Sequence, residues 1–349
     1  MVPDEARCRR GFEHYTGCLL GGAVGDALGA PVEFLSLADI RRRFGPSGIR
    51  DYAPAYGRLG AITDDTQMSL FTAEGLILGL EAGCPDAELV AEVYRAYLRW
   101  LETQGYSPPY PSPRGGSGWL IELPQLHARR GPGHTCLSAL ASGRMGTMHQ
   151  PLNDSKGCGG LMRVAPVGLI CARDHFRLGC EIAAITHGHP SGYLAAGFQA
   201  ELIHRIVQGE DLLEAITATT EVLTRYPGHE EVLASVNQAL QLAQEAPPRP
   251  ETVEQMGRGW VAEEALGIAL FCALTAPTFE EGVVLAVNHS GDSDSTGAIA
   301  GNILGAFLGS GAIPERWLGP LELREEIENL AAQLWRGASK VSAVQGARE

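Results

Sequence analysis

The chain has 349 residues, which allows one large domain or two ordinary ones. Hydrophobic residues make up 45% and charged residues 19%, so a sizeable core can be buried. The formal net charge of -14 excludes a general nucleic-acid-binding face, which needs basic charge, and no apolar run is long enough to span a membrane.

The first predicted element is a buried, glycine-rich helix over 12–30, F-E-H-Y-T-G-C-L-L-G-G-A-V-G-D-A-L-G-A, interrupted by Asp26. Pro31 ends or kinks it. Glu33 then stands between Val32 and Phe34, a carboxylate in an apolar setting. Residues 44–62 read as loop. A helix over 66–82 follows Thr63-Asp64-Asp65-Thr66, with Asp64 or Asp65 near its N-cap. Over 86–102 the spacing predicts an amphipathic helix with Val90, Val93, Tyr97 and Leu101 on one face. Residues 105–118 are dense in Pro, Gly and Ser and read as a long loop, a feature that often carries function.

A helix is predicted through His134–Gly143, then a glycine-rich loop at 153–164. Helices follow over 162–173, 177–187, 191–208, 211–225, 229–245, 261–275, 278–288, 295–309 and 322–336, with a frayed tail after Gly337. Nothing reads as a convincing strand, and no linker-like shift in composition divides the chain. The prediction is a single all-α orthogonal helical bundle over 1–349, with its core at about 11–337.

Eight cysteines (Cys8, Cys18, Cys84, Cys136, Cys158, Cys171, Cys180 and Cys272) include no C-x-x-C pair. They read as ordinary thiols in a reducing compartment rather than as a disulfide framework. The N-terminal M-V-P-D-E-A-R-C-R-R lacks the apolar core of a signal peptide, so a cytoplasmic protein is expected, with no membrane partner. A monomer is expected.

The chemistry centres on Val287–Asn302, V-N-H-S-G-D-S-D-S-T-G-A-I-A-G-N. Asp292 and Asp294 stand one residue apart among hydroxyls and glycines, on a loop that feeds an apolar helix. Thr63-Asp64-Asp65-Thr66 is a second acidic cluster of the same kind, far upstream. Hard divalent cations take carboxylate and hydroxyl oxygens. Thr63, Asp64, Asp65, Asp292 and Asp294, with Ser295 or Thr296, supply that set, and no His/Cys cluster has zinc-like spacing. Four carboxylates brought together repel unless cations lie among them. Each cluster alone would suit a plain helix N-cap. Both together, each opening a buried helix, predict that the two meet in space and hold two metal ions.

Other candidates are weaker. A buried Glu33 would have a raised pKa suited to proton transfer; the plainer alternatives are a solvated Glu33, or one paired with an arginine such as Arg41 or Arg42. Consecutive glycines in S-K-G-C-G-G-L-M-R-V (155–164) could offer backbone N–H groups to a phosphate. Gly131-Pro132-Gly133-His134-Thr135 is a fainter version of that loop. His187 and His189 beside Tyr193 could wall a base or ribose. Trp100, Trp119, Trp260 and Trp335 read as core or surface anchors.

Five motifs in order carry a family resemblance: G-A-V-G-D-A-L-G-A-P-V-E-F, I-T-D-D-T, S-K-G-C-G-G-L-M-R-V-A-P-V-G-L, I-T-H-G-H-P and N-H-S-G-D-S-D-S-T-G-A-I-A-G-N. Together, over about residues 15–310, they resemble the ADP-ribosylglycohydrolases. The resemblance implies an all-α fold, a binuclear Mg²⁺ or Mn²⁺ centre, and release of ADP-ribose from a modified protein or small molecule. It places Thr63, Asp64 and Asp65 in a first ligand set, and Asp292, Asp294 and Ser295 in a second, position favouring Ser295 over Thr296. Glu33 falls beside the reacting ribose. Gly157, Cys158, Gly159, Gly160, Leu161 and Met162 fall on the loop contacting ribose and diphosphate, and His187 falls in the ligand pocket; Tyr193 is read as stacking near the adenine. The expected mechanism uses Asp65 or Asp294 to orient a water and Glu33 to assist proton transfer, through an oxocarbenium-like state. Arginine is the expected acceptor; serine-, acetyl- or nucleic-acid-linked ADP-ribose, a non-catalytic binder and a diphosphate-cleaving phosphoesterase are the alternatives.

Overall fold

A computed structural model describes residues 10–107 and 118–346. The composition-predicted 105–118 loop falls mostly on 108–117, outside the described residues, as does Cys8. In chain order the helices are α1 (Phe12–Gly29), α2 (Leu37–Phe44), α3 (Asp64–Glu81), α4 (Asp86–Thr103), α5 (His134–Ala141), α6 (His175–Ala184) and α7 (Pro190–Val207). There follow α8 (Leu212–Leu223), α9 (Glu230–Glu245), α10 (Pro250–Val253), α11 (Ala262–Thr275), α12 (Phe279–Val287), α13 (Ser293–Leu308), α14 (Glu315–Leu318) and α15 (Arg324–Gly346). Among the described residues there is no strand, only isolated bridges at Ala55–Arg58 and Gly157–Val261. The architecture is all-α, as the patterning predicts, and no helix among the described residues is long and apolar enough to cross a membrane.

The organising contact is antiparallel α1 against α13. Gly17, Gly21, Gly25 and Gly29 recur every fourth residue on α1, so they share one face. They meet Gly305, Gly301, Gly297 and the Ser293–Asp294 backbone in reverse order on α13. A Cβ on Gly25 would run into the carbonyl of Gly297, and one on Gly301 into the carbonyl of Gly21. Both helices lie fully buried here, so backbone touches backbone with no side-chain layer between. Asn302 Nδ2 donates to Cys18 O at 2.8 Å and fastens the pair midway. The result for function is positional: the C-terminal end of α1, with Asp26 and Glu33, is brought beside the N-terminus of α13, with Asp292 and Asp294.

The α3–α4 pair packs through Phe71, Tyr97 and Trp100, all fully buried. Gln67 Oε1 accepts from Trp100 Nε1 at 3.1 Å, and Thr72 Oγ1 lies 2.7 Å from Tyr97 Oη. Ahead of α3, Arg130 donates to Ile62 O (3.0 Å) and pairs with Glu322, whose Oε2 also accepts from Ile62 N–H (3.2 Å). This buried ion pair pins the segment that delivers Thr63, Asp64 and Asp65.

Several boundaries differ from the sequence reading. Residues 162–173 form no α-helix: Pro166 and Gly168 hold Ala165–Leu169 in a short 3₁₀ turn, and full burial made the run look helical. The helix read over 177–187 spans His175–Ala184, started by Asp174, whose side chain accepts from Arg177 N–H. The last helix runs to Gly346, past its predicted end at 336. Short helices α2, α10 and α14 have too few periodic residues to announce themselves.

Candidate metal centre and active site

The two acidic clusters do converge, and a third element joins them. Asp26, on the last turn of α1, accepts from Thr63 N–H (2.9 Å), Thr63 Oγ1 (2.8 Å), Thr66 N–H (3.1 Å) and Thr66 Oγ1 (2.5 Å). It therefore buckles α1 to the start of α3. Sequence reading noticed Asp26 as an interruption of an apolar run and gave it no role; a lone carboxylate inside a buried helix was the available signal.

On the α13 side, Asp292 is the N-cap position, yet its carboxylate makes no capping hydrogen bond. On the α3 side the cap is Thr63, whose Oγ1 accepts from Asp65 N–H at 3.3 Å. Asp64 and Asp65 thus lie in the first helical turn rather than capping it. The plain N-cap account fails for Asp65 and Asp292. Ligand oxygens of Glu33, Asp292 and Asp294 lie within 4.8 Å of one another. From the other side, a Cβ placed on Gly131 would sit 3.4 Å from Asp64 Oδ1, 3.5 Å from Tyr56 Oη and 3.7 Å from Glu33 Oε2. Five stretches of chain, at Glu33, Tyr56, Asp64, Gly131 and Asp292–Asp294, therefore face one small volume.

Burial first, then Asp294, raises the carboxyls of Asp26 (to about 7), Asp64 (to about 8) and Asp65. Burial and then Asp294, Asp292 and Asp64 push Glu33 up to about 10. Asp292 and Asp294 are raised as well, by burial above all. Among the described residues no lysine or arginine pairs with any of these six carboxyls: Arg41 goes to Glu251 (2.6 Å) and Arg42 to Asp39. Asp65 Oδ1 is buried with no hydrogen-bond partner. A nest of oxygens at two helix N-termini, unneutralised by protein cations and holding an orphaned carboxylate oxygen, fits a hard divalent cation.

This has a measurable consequence. Each raised carboxyl has a folded pKa above its unfolded value of about 4, so its stabilising contribution is complete below about pH 4 and is lost as pH rises through the folded value. That loss begins near pH 4 and is complete by about pH 7 for Asp26, about 8 for Asp64 and about 10 for Glu33. Protein stripped of metal by chelation should lose Tm between pH 6.5 and 9, on the order of 5 °C. Excess Mg²⁺ or Mn²⁺ should restore it. Melting curves that are flat over that window and indifferent to the ions would contradict the assignment.

The hydroxyl left open by the sequence is distinguished by its bonding. Thr296 Oγ1 faces away from the site, near Asp292 O at the start of its own helix and Ala286 O of α12 (2.8 Å each), and lies 2.8 Å from His289 Nε2. Ser295 Oγ instead faces Cys158 Sγ (3.4 Å) on the site side. Cys158 is a surprise: its thiol donates to Asp292 Oδ2 at 2.7 Å, so its side chain, not only its backbone, belongs to the site.

The glycine loop is narrower as an anion cradle than its sequence implies. Gly157 N–H donates to Ser155 Oγ, Cys158 N–H to Trp260 O, and Leu161 and Met162 N–H to Cys158 O. Gly160 ends the 3₁₀ turn Cys158–Gly160, where i→i+3 bonding takes up its amide, so Gly159 is the donor this run has left to offer. Leu161 and Met162 are buried in the core, and Lys156 turns away to Glu231 and Glu263. His187 packs against the loop: a Cβ on Gly159 would lie 3.1 Å from its Cε1. Burial and Arg163 push its pKa down to about 3, so it is neutral. Arg163 Nη2 donates to Thr186 Oγ1 (2.7 Å), which lies 2.8 Å from His187 Nδ1. With its acceptor role taken by arginine, the threonine hydroxyl can give its proton to Nδ1, leaving Nε2–H as the donor toward Gly157 and Gly159.

His189 serves as the N-cap of α7, its Nδ1 accepting from Ser191 N–H at 3.1 Å, and no described contact joins Tyr193 to the carboxylates. The Gly131–Gly133 turn is an inner wall of the acidic nest rather than a second phosphate loop, for Gly133 N–H donates to Asp64 Oδ2 at 3.3 Å. Tyr56, unmarked by any motif, joins the same wall.

An all-α scaffold with this oxygen nest, compared with known proteins, defines a hydrolase of glycosidic bonds. Residues 8–343 match the family model of the ADP-ribosylglycohydrolases, and the chain belongs to that family. It is 35% identical over 342 residues to an uncharacterized protein of Archaeoglobus fulgidus, covering 93% of this chain and 96% of that one. It is 26% identical to the ADP-ribosylhydrolase ARH3 of Bos taurus (95% of this chain, 94% of that one) and to the ADP-ribosyl-[dinitrogen reductase] glycohydrolase of Rhodospirillum rubrum (89% and 91%). A solved structure titled as an ADP-ribosylglycohydrolase-related protein complex superposes with a TM-score of 0.69 at 31% identity, over 94% of this chain and 98% of that one.

Proposed function

We propose that this chain removes ADP-ribose from modified protein, with ADP-ribosyl-arginine as its principal substrate, by hydrolysing the bond at C1″ of the distal ribose. The observation that carries the reading is the convergence of Glu33, Asp64, Asp292 and Asp294 on one volume flanked by the glycine loop. The family and the relatives' names support ADP-ribose as the group removed.

Thr63, Asp64, Asp65, Asp292, Asp294 and Ser295 would hold two Mg²⁺ or Mn²⁺ ions. When bound, such ions supply Lewis-acid grip on sugar hydroxyls and lower the pKa of a water. Asp65 or Asp294 would orient a water by accepting a hydrogen bond from it. Glu33, which has a carboxylate oxygen within 4.8 Å of those of Asp292 and Asp294, assists proton transfer to the departing acceptor atom. The Gly159 amide and His187 Nε2–H, on the Gly157–Met162 loop and its neighbour, receive the diphosphate. Tyr193 lines the nucleoside end. An acidic protein surface favours a guanidinium-bearing target over an anionic one.

For Glu33→Gln the expected result is a folded, metal-replete protein with kcat reduced about 10²- to 10⁴-fold and KM nearly unchanged. An unaltered kcat would remove Glu33 from the reaction. The function itself is tested by product analysis on a panel of arginine-, serine-, acetyl- and nucleic-acid-linked ADP-ribose. Free ADP-ribose from the arginine-linked compound supports the proposal; AMP as the product would mean diphosphate cleavage instead.

A further inference from the structure

The mouth of the site is aromatic. Phe34 follows Glu33 directly, and its side chain is 72% exposed. It stacks on Trp260, with ring centroids 5.1 Å apart and planes 20° from parallel. Trp260 is itself 37% exposed. An outward-facing stack beside a polar pocket is what a binding surface shows, since large apolar rings are otherwise buried. The backbone supports the same view. Phe34 has φ of +67°, in the left-handed region that a bulky residue occupies only at a cost.

Backbone hydrogen bonds tie both residues to the site. Phe34 N–H donates to Gly291 O at 3.3 Å, next to Asp292. Trp260 O accepts from Cys158 N–H at 3.2 Å. A Cβ on neighbouring Gly259 would lie 3.5 Å from Asp292 Cβ. The pair therefore spans the gap between Glu33, the Asp292 segment and the start of the glycine loop.

We propose that the Phe34–Trp260 stack is the acceptor subsite, a π platform for the planar cation to which ADP-ribose is attached. The proposal rests on the reading that the bond is cut beside Glu33. Whatever carries the modification must leave the site past that residue, and Phe34 is the next residue along the chain. Ring faces attract a cation through their quadrupole. Among the described residues no arginine lies over either ring, so the platform is not already satisfied. The carboxylates behind it add to the attraction for a guanidinium. Adenine is the wrong occupant, because both sugar rings and the diphosphate separate it from C1″.

The test compares Phe34→Ala, Trp260→Ala and Trp260→Tyr enzymes, all supplied with Mg²⁺ or Mn²⁺. Three probes are used: ADP-ribosyl-arginine and acetyl-linked ADP-ribose as substrates, and free ADP-ribose as a competitive inhibitor. The expected result is a KM for ADP-ribosyl-arginine raised about 5- to 30-fold by either alanine, with kcat changed much less. Trp260→Tyr should keep most of the affinity. The KM for the acetyl-linked substrate and the inhibition constant of ADP-ribose should move by less than about threefold. Equal losses with all three probes would overturn the proposal, because the rings would then support the fold or the ADP-ribose moiety. An unchanged KM for ADP-ribosyl-arginine would overturn it too. If the unsubstituted enzyme cleaves the acetyl-linked compound and ignores the arginine-linked one, the acceptor reading itself fails, and the guanidinium platform with it.

Discussion

Asp294→Ala is expected to abolish turnover, with a loss of about 10³-fold or more in kcat, and to lower the metal content of the purified protein. Asp294 is the charge felt most widely in the site: after burial it is the leading influence on Asp26, Glu33, Asp64, Asp65 and Asp292 alike. If Asp294 holds a metal ion as proposed, its removal costs several kcal/mol of transition-state stabilisation, where each 1.4 kcal/mol or so is tenfold in rate. The same substitution relieves repulsion in the metal-free protein. Its Tm in chelator at pH 8.5 should therefore equal or exceed that of the parent, while the increase on adding Mn²⁺ disappears. Asp292→Ala should also abolish turnover and lower metal content, with the further loss of the Cys158 Sγ contact. Metal-stripped protein that remains active, with no response to added Mg²⁺ or Mn²⁺, would count decisively against the whole assignment.

Gly301→Ala should be among the more damaging single methyls on the α1–α13 seam. The added Cβ meets the Gly21 carbonyl and, at 3.2 Å, the Gly22 nitrogen. Neither is the end of a flexible side chain, so one helix must shift. Overpacking of a tight core costs about 1–3 kcal/mol and more where backbone must move. We expect a fall in Tm on the order of 5 °C or more, with metal affinity reduced at least tenfold even though Gly301 touches no ligand. The reason is geometric: α13 carries Asp292 and Asp294, α1 carries Asp26 and leads into Glu33, and spreading the helices spreads the two sets of oxygens. Gly337→Ala is the matched control. It adds the same methyl to a helix with nothing within 4 Å, so it should leave Tm unchanged or raise it slightly. Titration calorimetry with Mn²⁺, alongside the two melts, separates the outcomes. Normal metal binding by Gly301→Ala protein would mean that the seam sets stability without setting the site.

Much of the site is readable before any coordinates, because it is built from short runs whose residue types have few other uses. Asp-Ser-Asp-Ser and Thr-Asp-Asp-Thr each place carboxylates and hydroxyls at the start of an apolar helix, and the structure brings the two runs together. What escaped reading escaped for physical reasons. Asp26 acts by accepting four hydrogen bonds from a segment nearly forty residues away, and no local pattern marks a long-range acceptor. Tyr56 reaches the site through a turn with φ of +50° in a stretch that reads as plain loop. Trp260 looked like an anchor because an aromatic in a sequence carries no sign of which face stays wet.

By itself the sequence determined the class of structure and the chemistry of the donors. Helical periodicity without strand signals makes the chain all-α, and oxygen ligands without a zinc-type His/Cys pattern point to hard divalent ions. The glycine spacing on two helices was also written there, one every fourth residue. Only the tertiary structure decided what that spacing is for: two backbones in direct contact, antiparallel, with Asp26 and Glu33 set against Asp292 and Asp294. It also gave the reason to prefer Ser295, whose hydroxyl faces Cys158 Sγ, over Thr296, whose hydroxyl is held near Asp292 O and Ala286 O. Composition and periodicity act along the chain, whereas distances between far-apart oxygens exist only once helices pack, and packing is where the remaining choices were made.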